Sequence, residues 1–506
     1  MYQNLKTCAM LCGLSLFALS AAAQLQPKNW APANADNVPA PVHPLPHDRQ
    51  VKWMETEFYA FFHYGMNTFT GSEWGNGNED ESRYAPTAQP NPKQWLQAAQ
   101  AAHMKGGIAV VKHHDGFCLW PTETTDHCIK NLSGNAAYNV AEGFANAAKE
   151  LKMKYGFYVS PWDRNSALYG DGTDAYVTDV FLKQCEELAK YGSDQFEMWF
   201  DGANGGDGYY GGANTTRNID RATYYDVPNL RYMVHKTNAN CVLWGVGGEA
   251  RWIGNEAGWA GETNWCSDNR EDGKDQSNAA EGNVNGWFWL PGESDAKATT
   301  GGWFWHSGEG VRGAEELFKM YLETVGRNAT FILNLPPDQS GSLPQATVNR
   351  MTELGNLLTQ RLGTNLAKGK SVTASSERSQ TGSVSFAASN VTDEKTDTYY
   401  APADGATNVS LTIDLGSAQT VHYVALQEHI RLGQRVKGFK IETSTDNSSW
   451  TSFGGSMTKT TIGYKRIIPQ NGQTSGSYNG SVNARYVRVT ITDCKSIPVI
   501  QNIAIY

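Results

Sequence analysis

The chain has 506 residues and a formal net charge of -9, with 18% charged residues, 16 Trp, 23 Tyr and 51 Gly. Its length favours two or more domains, and its acidic balance excludes a nucleic-acid binder, which needs a basic stripe to neutralise phosphates. Abundant Trp and Tyr suit carbohydrate, whose C–H faces stack on aromatic rings while its hydroxyls take hydrogen bonds.

The first residues have the pattern of a secretory signal. A Lys6-containing start precedes the apolar run Cys8 to Leu19, and Ser20-Ala21-Ala22-Ala23 supplies the small residues of a cleavage site after Ala23. The segment is too short for a membrane span, so 1–23 is expected to be removed from an exported, periplasmic or secreted protein. The cysteines beyond it are scattered without metal-ligand spacing, and Cys118 with Cys128 is the one nearby candidate disulfide.

From about Glu57 to Leu362, short apolar runs alternate with helical patterns. Strands are predicted at Phe58 to His63, Gly107 to Lys112, Gly156 to Ser160, Phe196 to Phe200, Cys241 to Gly245, Trp303 to His306 and Thr330 to Leu335. Helices are predicted at Pro92 to Lys105, Ala141 to Met153, Val177 to Tyr191, Ala222 to Asn238 and Gly313 to Val325. Such alternation predicts an α/β domain, a (β/α)8-like barrel over 24–363. A doubly wound sheet lacks the G-x-G-x-x-G turn after its first strand. Beyond residue 364, Ser/Thr-rich alternating segments separated by polar turns predict an all-β antiparallel sandwich over 364–506.

Barrels keep their chemistry at the C-terminal strand tips. The run Trp199-Phe200-Asp201-Gly202-Ala203 offers a carboxylate at one tip, His63 stands at a second, and His113-His114 at a third. Three histidines at comparable tips would line a pocket with donors and acceptors suited to a hydroxylated ring. A metal centre is disfavoured, because adjacent strand residues point to opposite faces and chelate one ion poorly. If Asp201 attacks a glycosidic carbon, a second carboxyl must protonate the leaving oxygen. Glu249, Glu256, Glu262 and Asp268 are candidates. Glu256, in a Gly-bracketed aromatic loop, is the one expected to be partly desolvated and held protonated.

Several motifs resemble, in order, those of the α-L-fucosidases of glycoside hydrolase family 29, in the subfamily restricted to α-1,3/1,4-linked fucose. They are His63-Tyr64-Gly65-Met66-Asn67 with Glu73-Trp74-Gly75, Lys112-His113-His114-Asp115-Gly116, Tyr158-Val159-Ser160-Pro161-Trp162, the Asp201 run, Arg251-Trp252-Ile253-Gly254-Asn255-Glu256-Ala257-Gly258, and Leu333-Asn334-Leu335-Pro336-Pro337. The resemblance implies a retaining exo-glycosidase with Asp201 as nucleophile and Glu256 as acid/base. It implies fucose contacts from His63, Glu73, Trp74, His113, His114 and Tyr158, with Arg251 and Glu293 at the pocket. The interval from Asp201 to Glu256 is longer than the resemblance leads one to expect, the excess falling in Gly205 to Arg217.

The second domain resembles discoidin-like sandwiches grouped with carbohydrate-binding module family 32, through Asn365-Leu366-Ala367, Val391-Thr392-Asp393 and Arg485-Tyr486-Val487-Arg488-Val489. That likeness implies a structural calcium near Asp393 and Asp397, although Gln501-Asn502 replaces the glutamate ligand many carry. The expected partners are fucosylated glycans, with no required cofactor, no nucleic acid and no membrane span. A non-catalytic glycan-binding protein and an exo-glycosidase for another sugar with an axial 4-hydroxyl, such as α-galactose, are the competing readings.

Overall fold

A computed structural model describes residues 37–202, 204–269, 278–380, 384–455, 459–472 and 478–506. The expected leader, Met1 to Ala23, lies outside the described residues, as does Ala203. Eight strands, β1 (Phe58–Phe62), β2 (Gly106–Lys112), β3 (Lys154–Val159), β4 (Gln195–Trp199), β5 (Val242–Leu243), β6 (Arg251–Trp252), β7 (Gly292–Lys297) and β8 (Ala329–Asn334), form one parallel sheet. They pair in the order β5-β4-β3-β2-β1-β8-β7-β6, and a parallel bridge from Trp244 to Ala250 joins the two ends. Neighbours in space are therefore neighbours in sequence all the way round, as in a (β/α)8 barrel.

Helices Pro92–Ala101, Val140–Leu151, Leu182–Ala189, Val227–Thr237, Ala314–Thr324 and Gln345–Leu362 pack outside. The connections β5–β6 and β6–β7 carry no α-helix among the described residues. Strand residues are apolar on both faces because both are covered. Along β1, Phe58, Ala60 and Phe62 enter the core beneath the helices, while Tyr59 and Phe61 join Ile108, Val110 and Trp199 inside the barrel. Helix Asp48–Met54 plugs the N-terminal end, its Trp53 Nε1 donating to Glu197 at 2.8 Å.

One predicted strand needs correction, and two strands went unpredicted. Trp303 to His306 is not a strand but a bent loop, its aromatics spent on packing against His63 and His113. The strand that fills that place in the barrel is β7, Gly-Glu-Ser-Asp-Ala-Lys, whose polar residues hid it from an apolar-run search although all but Lys297 are buried. β6 was also missed, being two residues long.

The C-terminal part is all-β and antiparallel. A five-stranded sheet (Ser371–Ala374, Val409–Val421, Val482–Cys494, Val436–Ser444, Thr451–Phe453 in spatial order) faces a three-stranded one (Arg466–Pro469, Tyr423–Glu428, Ile500–Ile505) across a core that includes Leu411, Ile413, Val424, Phe439 and Ile503. The residues of the expected calcium loop do not fit a cation well. Both Asp393 carboxylate oxygens accept from Thr398 Oγ1, at 3.0 and 2.8 Å, and Oδ1 also takes Lys395 N, so the turn is closed by its own donors. Cys118 and Cys128 are backbone neighbours yet remain free thiols, so the candidate disulfide is not formed.

Behind β2, Lys112 Nζ is fully buried and paired with Asp163 Oδ2 at 2.7 Å, with Tyr176 Oη and Gln184 Oε1 completing its shell. Removing one partner leaves a buried charge uncompensated. Asp163→Ala is expected to lower the free energy of unfolding by about 3–5 kcal/mol, measured by urea denaturation.

Candidate active site

A cavity of about 680 Å³ opens at the C-terminal strand ends, and His63, Glu73, Trp74, His113, His114, Tyr158, Asp201 and Glu256 all border it. The fold gathers these eight of the ten residues singled out above round one cavity. The other two, Arg251 and Glu293, are placed differently.

Asp201 stands just beyond β4, its carboxylate partly exposed. Tyr158 Oη donates to Oδ2 at 3.0 Å, and the N–H of Gly202 reaches Oδ1. Burial, then the negative charge of Asp201, holds the Tyr158 hydroxyl well above its ordinary pKa, so the phenol remains a donor. Gly245 is required behind this tip. Its φ is +66°, and a Cβ there would collide with Phe200 O, the residue before the carboxylate.

Burial holds all three histidines below the ordinary imidazole value, and two of them have assignable hydrogen-bond roles. His63 Nδ1 lies 2.8 Å from Asn334 Oδ1, while Asn334 Nδ2 donates to Trp303 O at 2.7 Å. That arrangement makes Nδ1 the donor and leaves Nε2 as an acceptor. His114 Nδ1 lies 2.7 Å from Ser160 Oγ, whose own hydrogen goes to Trp162 O, so Nε2 is again an acceptor, 3.7 Å from Asp201 Oδ2. His113 lies flat against Tyr158, ring centroids 5.5 Å apart, and its buried Nδ1 has no hydrogen-bond partner among the described residues.

The adjacent histidines do not point to opposite faces. β2 ends at Lys112 after a bulge, so both rings turn inward with centroids 4.2 Å apart. Ligating atoms of His113, His114 and Asp201 consequently lie within 4.8 Å of one another, a donor set that a divalent ion could also use.

Glu256 follows β6 on a turn closed by Asn255, which accepts from Ala257 N and donates to Trp259 O at 3.0 Å each. It is exposed at the cavity mouth, without the desolvation expected of it, and its Oε2 accepts from Trp303 Nε1 at 3.1 Å. Glu73 fastens the same loop, accepting from Trp303 N at 2.7 Å and meeting His306 Nε2 at 2.6 Å. Trp74 is 56% exposed, and its ring meets that of His114 edge-on. Of the other carboxylate candidates, Glu249 lies away from the cavity in an ion pair with Arg49 at 2.7 Å. Burial would raise its pKa, but His235 and Arg49 override it and hold the group at about 2, so it is no proton donor. Glu262 and Asp268 do not border the cavity either.

Glu293 does not reach the cavity. It is fully buried inside the barrel beneath Trp199, accepting from Trp199 Nε1 at 2.6 Å and from Tyr59 Oη, because alternate residues of a barrel strand face the closed interior. Burial raises the pKa of both Glu293 and its neighbour Glu197, and repulsion between them adds to the rise of Glu197. Arg251 borders the cavity but turns its guanidinium away, to Ala279 O at 3.0 Å, Leu290 O and Asn264 Oδ1. Asn334, Ser160 and Trp303 were not singled out. The one signal for Asn334 was its place in the Leu333-Asn334-Leu335 motif.

Residues 27–361 match the family model described as Alpha-L-fucosidase, and residues 371–504 that of the F5/8 type C domain. Alpha-L-fucosidase 1 of Arabidopsis thaliana is 33% identical over 476 residues, covering 92% of this chain and 88% of that protein. Among solved structures, a glycoside hydrolase 29 family member from an unknown rumen bacterium superposes with a TM-score of 0.77 at 35% identity, covering 92% of this chain and 78% of its own. A Ruminococcus gnavus GH29 fucosidase in complex with fucose gives 0.81 at 30% identity, covering 95% and 97%.

Burial pushes His63 down to about 3 and His114 to about 4, below the ordinary imidazole value of about 6.5. As pH falls below about 6.5 the unfolded chain takes up protons that these folded rings refuse, so stability is lost from there down to their folded values and is fully present above. Each ring is expected to add up to about 1.4 kcal/mol per pH unit to that slope. Urea denaturation between pH 7 and 5 should give a shallower pH dependence for His114→Gln than for the wild type.

Proposed function

Because the chain belongs to the α-L-fucosidase family, glycoside hydrolase family 29, we propose that it removes α-1,3/1,4-linked fucose from branched, Lewis-type glycans by a retaining double displacement at Asp201 and Glu256. The observation that carries the reading is a partly exposed carboxylate, oriented by a phenol, sharing one sugar-sized cavity with a second carboxylate and three neutral histidines.

In this reading fucose sits with its hydroxyls on His63, His113, His114 and Glu73 and its apolar face toward Trp74 and Trp303. Asp201 attacks the anomeric carbon while Glu256 protonates the departing oxygen, giving a β-linked fucosyl ester. Glu256 then removes a proton from water as it displaces Asp201, and fucose leaves with its α configuration retained. The cavity is larger than one deoxyhexose needs, and its wall of Gly205, Gly206 and Asp207, on a hairpin, is available to a branched acceptor. The N-terminal pattern favours export to the periplasm or beyond.

Asp201→Asn is expected to abolish hydrolysis, with azide restoring turnover and yielding a product of inverted configuration; near wild-type activity would refute the assignment. Glu256→Ala should cost roughly 10²–10⁴-fold on glycan substrates, with azide giving a product of retained configuration. A panel of α-1,2, α-1,3, α-1,4 and α-1,6 fucosides, read as free fucose, tests linkage, the 1,3 and 1,4 members being expected to react fastest. Chelator treatment is expected to leave these rates unchanged.

A further inference from the structure

We infer that the C-terminal sandwich is a positioning element for the turn that carries Glu256, with Gln434 as the residue that transmits its hold. The inference rests on the acid/base reading of Glu256.

The path starts inside the sandwich. Glu428, 1% exposed, accepts from the backbone N–H groups of Arg435 at 2.7 Å, Val436 at 2.9 Å and Gly463 at 2.7 Å. Three backbone hydrogen bonds to one carboxyl group fix two separate segments against each other. Gln434 lies in the first of them and is itself buried. Its Oε1 accepts from Cys266 N at 2.7 Å, and its Nε2 donates to Asn264 O at 3.1 Å and to Thr461 Oγ1 at 2.5 Å. One amide therefore satisfies backbone groups of the β6–β7 connection on the barrel side and a hydroxyl of the sandwich.

On the barrel side, Asn264 is gripped again. Its Nδ2 donates to Arg327 O and Asn328 O at 2.9 and 3.1 Å, and its Oδ1 accepts from Arg251 on β6, five residues before Glu256. Thr263 Oγ1 bonds to Thr460 Oγ1 at 2.8 Å, and Lys495 lies 4.4 Å from the centroid of Trp265. The segment 260–266 is thus clamped between barrel and sandwich, and the Glu256 turn runs straight into it. Toward the barrel the turn is held by the Ala257–Ala296 bridge, the bond from Trp303 and the packing of Gly258 against Met320, with flanking bonds from Ile253 N to Glu293 O and from Ala260 N to Glu323 O. A connection with no α-helix among its described residues thus receives from the second domain the support that a βα-unit helix gives elsewhere in the barrel.

Loosening this hold should misplace the acid while leaving Asp201, anchored on β4, where it is. Misplacement of a reacting group by about 1 Å can cost on the order of 10²-fold. The full-length chain is assayed on two fucosides, phenyl, whose departure needs a proton, and dinitrophenyl, whose departure does not. For Gln434→Ala, kcat on the phenyl fucoside is expected to fall about tenfold and on the dinitrophenyl fucoside about twofold or less, the same bias that Glu256→Ala shows more strongly. Equal losses on both substrates, or none, would overturn the inference while a biased Glu256→Ala left the acid/base reading standing. If Glu256→Ala shows no bias, the acid/base assignment is what fails and the inference falls with it. Should Gln434→Ala not fold, Thr263→Val, at the edge of the same junction, is expected to show the bias in smaller measure, and its absence would be equally fatal.

Discussion

Strands β5 and β6 are two residues each, and a single parallel bridge between Trp244 and Ala250 joins them. On that closure the pocket depends. It draws the tip of β4, with Asp201, and the exit of β6, with Glu256, onto one rim, and it seats Trp244 against Trp199 with ring centroids 3.7 Å apart and planes 8° from parallel. Trp199 is in turn held from below by Glu293 and flanked by Tyr158. The floor of the cavity is therefore a stack of rings spanning three neighbouring strands.

Around that floor the electrostatics are sparse by design of burial. His63, His113 and His114 are desolvated into neutrality, and Tyr158 keeps its proton. In the proposed reaction, neutral groups placed round the Asp201 carboxylate would read hydroxyl positions without compensating the charge that has to attack. The positive groups nearby are spent elsewhere. Arg164 holds Gly75 O and Asp207 O across the rim, and Arg251 braces the β6–β7 connection.

The barrel was legible wherever a strand was long and apolar on both faces, as in Phe58-Tyr59-Ala60-Phe61-Phe62. It was illegible at β7, because Glu293 and Asp295 face the barrel interior with the small polar Ser294 between them, a run that no apolar periodicity can announce, and Trp303-Phe304 drew the reading away with aromatics that serve a loop. His63, His113 and Asp201 were legible because each stands one or two residues past a clear strand. Glu293 was misread for the opposite reason. A local motif places it near the pocket in sequence, while the alternation of side chains along the strand sends it under the floor. Asn334 orients His63 across 271 positions, a pairing invisible until the sheet closes. The junction at Gln434 is of the same kind, since a buried amide has no signature until the surfaces it joins are known.

The six described cysteines are all unpaired, and five of them are buried. Burial raises every one of these thiols, Cys494 to about 11 and Cys266 to about 12. Thiolate is the species that attacks disulfides and reacts with oxidants, and at neutral pH these residues furnish hardly any. Among the described residues the fold therefore closes without a disulfide, its thiols sealed by packing rather than joined by covalent bonds.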